Sequence, residues 1–190
     1  MTLLLVRHGE STWNAQRRWQ GQADPPLSDL GVAQTRSAVI RMPTGFDRIV
    51  SSDLARARQT AELLAAGLAL ELVIDERIRE RYAGPWEGLT RDEIESGWPG
   101  MLDDGRRPDD YEADDDLLER VLPVLAEHSG PTIVVTHGGV IRAIERHLDV
   151  PRDRIPNLSA LVLTREDGTL AVGPRLLLCG EGDVAIEAGG

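Results

Sequence analysis

Two histidines of the 190-residue chain stand in matching contexts. His8 follows the apolar run Leu3-Leu4-Leu5-Val6 through Arg7 and precedes Gly9, while His137 follows Ile133-Val134-Val135-Thr136 and precedes Gly138-Gly139. An apolar run that stops at a functional side chain and a glycine reads as a buried parallel strand delivering that side chain to the crevice beyond its carboxyl end, where Gly9 lets the backbone come close to whatever binds. One histidine after a strand is commonly a structural residue. Two such strand ends in one sheet can share a crevice, with the Gly138-Gly139 amides facing an anion. Imidazole there can serve as a nucleophile or a proton carrier.

Other chemistry-bearing residues lie between the two histidines. Arg56 falls in the first turn of a helix whose apolar stripe is Leu54, Ala57, Ala61 and Leu64. That spacing leaves Arg56 off the buried seam, at a helix N-terminus that favours anions, with a solvent-exposed helix arginine as the alternative reading. Glu80 and Glu87 are the candidate carboxylic acids, and periodicity does not separate either from a solvated, salt-bridged glutamate. His128 and His147 lack the strand-end context and read as structural or exposed helix residues.

The elements that must position these groups follow from patterning. Beyond the first strand, residues 17–26 form a polar, turn-rich loop whose Arg17 and Arg18 read as solvated. Leu27-Ser28 reads as a staple and N-cap opening a helix to about residue 41, with Val32, Val39 and Ile40 towards the core. Short strands at 46–50 and 70–74 flank the Arg56 helix, for which Ser51-Ser52-Asp53 supplies cap residues. Residues 75–88 form a loop with particular turns at Gly84-Pro85 and Gly88. A weak pattern follows at about 89–116, with a short helix at 91–96 and an acid-rich run interrupted by Arg106 and Arg107; it reads as a lid over the sheet ends, its carboxylates a solvated face rather than a metal site. Helical spacing resumes at 117–127, where Pro123 removes one backbone hydrogen bond and bends the helix. After the His137 strand, a helix runs to about Leu148, strands at 159–164 and 169–178 are joined by an Asp167-Gly168 hairpin turn, and a loose tail occupies 180–190.

Length and composition bound the rest. The chain fits one domain, 1–190, and its 41% apolar and 28% charged residues are those of a globular protein. A net charge of -11 disfavours nucleic acid and anionic membrane, both of which need basic surface. Cys179 is the single cysteine, which excludes an internal disulfide and a cysteine zinc site and points to a reducing compartment. With no basic leader and no apolar run of spanning length, a cytoplasmic location is expected. No surface pattern marks a subunit interface.

These residues together resemble the histidine phosphatase superfamily, in its phosphoglycerate mutase-like branch. The resemblance is carried, in order, by Arg7-His8-Gly9-Glu10 with Asn14, Leu27-Ser28 with Gly31, Ser51-Ser52-Asp53-Leu54 with Arg56-Ala57 and Gln59-Thr60, Glu80 before Gly84-Trp86-Glu87-Gly88, and Thr136-His137-Gly138-Gly139. It implies an α/β three-layer sandwich with a mainly parallel central sheet flanked by helices. It also implies a pocket for the phosphate of a small phosphorylated metabolite, with His8 the nucleophile and no metal or other cofactor. Arg7, Arg56 and His137 would surround the phosphoryl oxygens, Asn14 and Gly138 would add donors, and Glu80 matches the proton donor, with Glu87 second.

Hydrolysis of a phosphomonoester and a mutase reaction share such a pocket, and an acidic lid that repels a phosphoglycerate carboxylate favours the phosphatase. Arg106 and Arg107 argue the other way, since they could grip a second anionic group. Many phosphatases of the family carry Gly-Glu-Ser before the helix at 117, where this chain reads Tyr111-Glu112-Ala113-Asp114, so contacts from that region do not carry over. A non-catalytic phospho-ligand sensor would need the arginines but neither His8 nor Glu80.

Overall fold

The computed structural model describes residues 1–151 and 154–179, so the expected tail at 180–190 lies outside it. Among these residues the strands β1 (Thr2–Arg7), β2 (Arg48–Ser51), β3 (Glu71–Ile74), β4 (Thr132–Thr136), β5 (Ser159–Glu166) and β6 (Thr169–Leu177) form one sheet in the order β3-β2-β4-β1-β5-β6. β3, β2, β4 and β1 pair in parallel, whereas β5 runs antiparallel to β1 and β6 antiparallel to β5. The helices are α1 (Thr12–Ala15), α2 (Asp29–Arg41), α3 (Ala55–Leu68), α4 (Arg91–Gly97), α5 (Asp114–Glu127) and α6 (Gly138–His147).

Leu3, Leu4, Leu5 and Val6 are all fully buried because β1 is covered on both faces. Leu3 and Leu5 pack with α5 and α6 through Leu117, Val121, Val140 and Ile144. Leu4 and Val6 pack with α2 and α3 through Ala38, Ala57, Ala61 and Leu64. Side chains alternate across a strand, so one continuous apolar run feeds two cores, each buried leucine or valine contributing about 2 kcal/mol. The parallel register pairs Arg7 with Thr136, so His8 and His137 emerge side by side at the same end of adjacent strands.

Ser28 caps α2 as expected, its side chain accepting from the Gly31 amide at 3.0 Å. The buried face of α2 differs from the expectation, however. Val39 packs against the core as expected, but Val32 is only half-buried, Ile40 is 89% exposed, and the fully buried residues are Gly31, Gln34, Thr35 and Ala38. Close approach selected small side chains over large apolar ones. A Cβ on Gly31 would lie 2.0 Å from the Glu10 carbonyl oxygen, and one on Gly9 would lie 2.8 Å from the Gly31 carbonyl oxygen. Gly9 therefore admits the backbone of α2, not a ligand.

The lid expectation was coarse. Four of its carboxylates are paired with arginines: Asp103 with Arg91, Asp104 with Arg106, Glu112 with Arg120, and Asp114 with both Arg81 and Arg146. α5 begins at Asp114, three residues before the apolar pattern, because Asp114, Asp115 and Asp116 complement the positive end of the helix dipole. Pro123 lies within α5 without ending it. No helix among the described residues is long and apolar enough to cross a membrane.

Candidate active site

β1 ends at Arg7 and hands His8 to the sheet edge at 2% exposure. His8 Nδ1 lies 2.6 Å from the carbonyl oxygen of Gly9, an acceptor that can only be met by Nδ1–H. The tautomer is thereby fixed with the lone pair on Nε2. Burial first, then the charges of Arg56 and Arg7, hold the His8 pKa well below the usual histidine value, against a smaller upward pull from the Gly9 hydrogen bond. His8 is neutral at pH 7 and its Nε2 is available.

β4 delivers His137 to the same place, fully buried, with ring centroids 5.2 Å apart and planes at 61° to His8. Its pKa is likewise well below the ordinary value, through burial and then the charges of Arg56, His8 and Arg7. His137 Nε2 lies 2.9 Å from Ser52 Oγ, whereas Nδ1 is buried without a hydrogen-bond partner among the described residues.

Arg56 lies in the first turn of α3 as expected, yet it is 0% exposed and not off the buried seam. The reason is a long-range wrap. The loop after Arg18 folds over the start of α3, so that Arg56 Nη1 and Nη2 donate to the carbonyls of Ala23 and Gly21, both at 2.7 Å. Asp24 from the same loop accepts the Ala55 amide at 2.5 Å, a cap the sequence reading assigned to residues 51–53. Asp53 instead pairs with Arg79. Burial draws the Arg56 pKa down to about 10, opposed by Glu80 and Asp24, which still leaves it charged at neutral pH. Arg56 Nε is buried with no partner among the described residues.

Arg7 is 8% exposed and anchored by an Nη1 bond of 2.6 Å to the Ile155 carbonyl. Thr60 links the two sides, accepting the Gly9 amide at 3.0 Å and donating to the Arg56 carbonyl at 2.7 Å. Asn14 is half-buried; its side-chain oxygen accepts from the backbone and hydroxyl of Ser11, so its amide NH2 is the group left to offer.

Glu80 and Glu87 part company. Glu80 accepts the Arg81 amide at 2.8 Å and the Gly139 amide at 3.0 Å, one on each oxygen, and it lines a cleft of about 960 Å³. Arg120 on α5 fixes the loop beneath it, donating to the carbonyls of Arg77, Arg79 and Glu80 while pairing with Glu112. Glu87 lies outside the cleft lining, and its Oε1 accepts the Gln22 amide at 2.7 Å, which makes it a loop clamp. The expectation that both glycine amides face an anion needs correction, because the Gly139 amide is spent on Glu80; Gly138 lines the cleft.

Arg7, Asn14, Glu80 and Gly138 line the open cleft, whereas His8, Arg56 and His137 are buried and outside its lining, His8 adjoining Arg7 and His137 adjoining Gly138 in the chain. The cleft wall also carries residues that sequence reasoning left aside. Arg142 and Arg146 extend from α6 one turn apart, a spacing that could have flagged them, whereas Arg154 arrives from a loop that gave no signal. Arg107 reaches in from the lid with its guanidinium 5.3 Å from the Trp86 ring centroid and 5.6 to 5.8 Å from those of Tyr111 and Trp19. An acidic chain has therefore concentrated arginine around one cleft, which suits a small, multiply charged anion.

A mixed α/β sheet whose paired strand ends set two neutral histidines among arginines is the arrangement of an enzyme that handles phosphoryl groups. The chain belongs to the histidine phosphatase superfamily, branch 1, whose sequence profile matches residues 3–172. It is 40% identical over 152 residues to probable phosphoglycerate mutase GpmB of Enterobacter sp. (strain 638), covering 73% of this chain and 70% of that one. It is 36% identical over 181 residues to glucosyl-3-phosphoglycerate phosphatase of Mycolicibacterium vanbaalenii, covering 84% and 79%. Among solved structures, mycobacterial glucosyl-3-phosphoglycerate phosphatase in complex with VO3 superposes with a TM-score of 0.79 at 30% identity, covering 90% of this chain and 96% of that one. Bacillus stearothermophilus YhfR gives the same TM-score at 31% identity, covering 90% and 94%.

Proposed function

We propose that the protein is a phosphatase for small phosphomonoesters that works through a phosphohistidine on His8. The observation that carries this reading is the 2.6 Å hydrogen bond from His8 Nδ1 to the Gly9 carbonyl, which presents Nε2 as a neutral nucleophile beside two guanidiniums. Nε2 attacks phosphorus in line with the leaving oxygen; the N–P bond forms as the P–O ester bond breaks, and Glu80 gives that oxygen its proton. Water then attacks the phosphohistidine, Glu80 takes a proton from the water, and the N–P bond breaks to release inorganic phosphate. Charge in the loose transition state spreads over three equatorial oxygens, where Arg7, Arg56 and His137 stabilise it without a metal. Half-burial of Glu80 at an open cleft gives water a route to the intermediate.

The test is a rapid quench with a radiolabelled phosphomonoester. Wild type yields acid-labile, alkali-stable label on His8, and His8→Ala yields neither label nor turnover. Turnover by wild type without any such label would refute the mechanism.

A mutase reaction is the second reading, and Arg107 favours it. The acidic lid no longer argues against a carboxylate, since Glu112 and Asp114 are neutralised by arginines while Arg107 has no carboxylate partner among the described residues. With 3-phosphoglycerate and a priming trace of 2,3-bisphosphoglycerate, hydrolysis releases free phosphate, and rapid isomerisation to 2-phosphoglycerate with little phosphate release would replace the phosphatase reading. Under either reading Arg107→Met raises KM for substrates bearing a second anionic group by about tenfold, the loss of one charge-assisted hydrogen bond, and leaves p-nitrophenyl phosphate nearly unchanged.

A further inference from the structure

Ser52 follows β2 directly, and because β2 pairs with β4 in parallel it comes to lie against His137. Both residues are 0% exposed. Ser52 Oγ accepts the Leu54 amide at 3.3 Å and stands 2.9 Å from His137 Nε2; its hydroxyl hydrogen has no other acceptor among the described residues. Of the two tautomers, the one with hydrogen on Nε2 would leave the buried hydroxyl proton unpaired. The one with hydrogen on Nδ1 lets Ser52 O–H donate to the Nε2 lone pair and satisfies both groups, as a buried polar pair requires. It also turns the partnerless Nδ1 into a donor, in a ring centred 5.2 Å from that of His8 and inclined at 61° to it.

We propose that Ser52 is a positioning residue: by donating to His137 Nε2 it fixes the Nδ1–H tautomer, so that neutral His137 offers a hydrogen, not a lone pair, to a phosphoryl oxygen on His8. This inference rests on the phosphoryl-transfer reading above. A lone pair aimed at the equatorial oxygens would repel the charge accumulating there, whereas an N–H donor stabilises it. Ser52 touches no substrate. It sets which face of a partner's ring chemistry is presented, as tautomer-fixing partners do for other catalytic histidines.

The full chain, labelled with ¹⁵N, tests this directly. At neutral pH His137 shows a pyrrole-type Nδ1 and a pyridine-type Nε2. Ser52→Ala loses the preference and lowers kcat about tenfold, the worth of one buried hydrogen bond, with KM little changed. Ser52→Thr keeps the hydroxyl and recovers both signals. A pyrrole-type Nε2 in wild type would overturn the proposal, as would Ser52→Ala with tautomer and kcat both unaltered. Should Ser52→Ala fail to fold, the wild-type spectrum decides alone. Orthovanadate separates this inference from the wider reading. If it shifts both His8 and His137 while the proton sits on Nε2, only the role of Ser52 falls; if it shifts neither, the phosphoryl pocket falls and Ser52 with it.

Discussion

Gly139→Ala aims a single methyl group at the proposed acid. A Cβ built on Gly139 lies 2.2 Å from Glu80 Oε1 and 3.0 Å from its carboxyl carbon, whereas ordinary contact begins at 3.4 Å. Glu80 Oε1 must therefore retreat by about 1.2 Å, and the 3.0 Å bond from the Gly139 amide to Oε2 is strained or lost with it. A displacement of that size at a proton donor lowers kcat by about 10². The loss should fall on alkyl phosphates such as glycerol phosphate, whose leaving oxygen needs a proton, and much less on p-nitrophenyl phosphate, whose leaving group does not. Alanine in place of a helical glycine favours the helix by about 1 kcal/mol, so the melting temperature should hold or rise and the defect cannot be ascribed to unfolding. Steady-state kinetics on both esters, with a thermal melt alongside, decide the matter. Wild-type kcat on the alkyl ester, or equal losses on both, would show that Glu80 is not the acid.

The remaining predictions concern charge. Arg56→Lys should lower kcat by about 10²–10³ despite conserving charge, because one ammonium cannot hold the Gly21 and Ala23 carbonyls and still present a planar fork; kcat within about threefold of wild type would exclude Arg56 from the transition state. The depressed pKa values of His8 and His137 also predict acid sensitivity. Unfolding lets each histidine regain its ordinary affinity for protons, so the unfolded state binds more protons below about pH 6.5 and stability falls as pH drops from there towards the folded values. Denaturant melts of His8→Asn at pH 7.5 and 5 should therefore show a smaller loss of stability on acidification than wild type; an identical pH dependence would refute the assignment.

The sheet was legible because its strands carry their own evidence. Leu3 to Val6 and Ile133 to Val135 are continuous apolar runs that only a doubly covered strand explains, and each ends at its histidine. Arg56 was singled out through the family resemblance, but its burial was not legible, since periodicity counts arginine as outward and the covering loop is more than thirty residues away. Ile40 misled for the opposite reason: it is apolar, yet it lies across the helix from the buried face at Gly31, Gln34, Thr35 and Ala38, which is itself small or polar and gave no apolar stripe to find. The lid's charge total pointed to repulsion, but its sign at the cleft depends on which arginines neutralise Glu112 and Asp114, and those partners come from α5, α6 and the Glu80 loop. Ser52 stood out only as a capping residue and as part of the family motif, because its relation to His137 exists only through strand pairing.

The placement of both histidines at the ends of β1 and β4 has a consequence for how the molecule breathes. These strands form the inner parallel pair, buried on both faces, and amides in such a pair exchange with solvent only when the whole domain opens. Among the described residues, the ion pairs of residues 98–110 are exposed ones within the 89–116 segment itself, Arg91 with Asp103 and Arg106 with Asp104, which contribute little to stability. Deuterium should therefore enter residues 98–110 long before it reaches Val6 or Val135. Mutations in that segment can then vary one wall of the cleft without loosening the strand ends that hold His8 and His137.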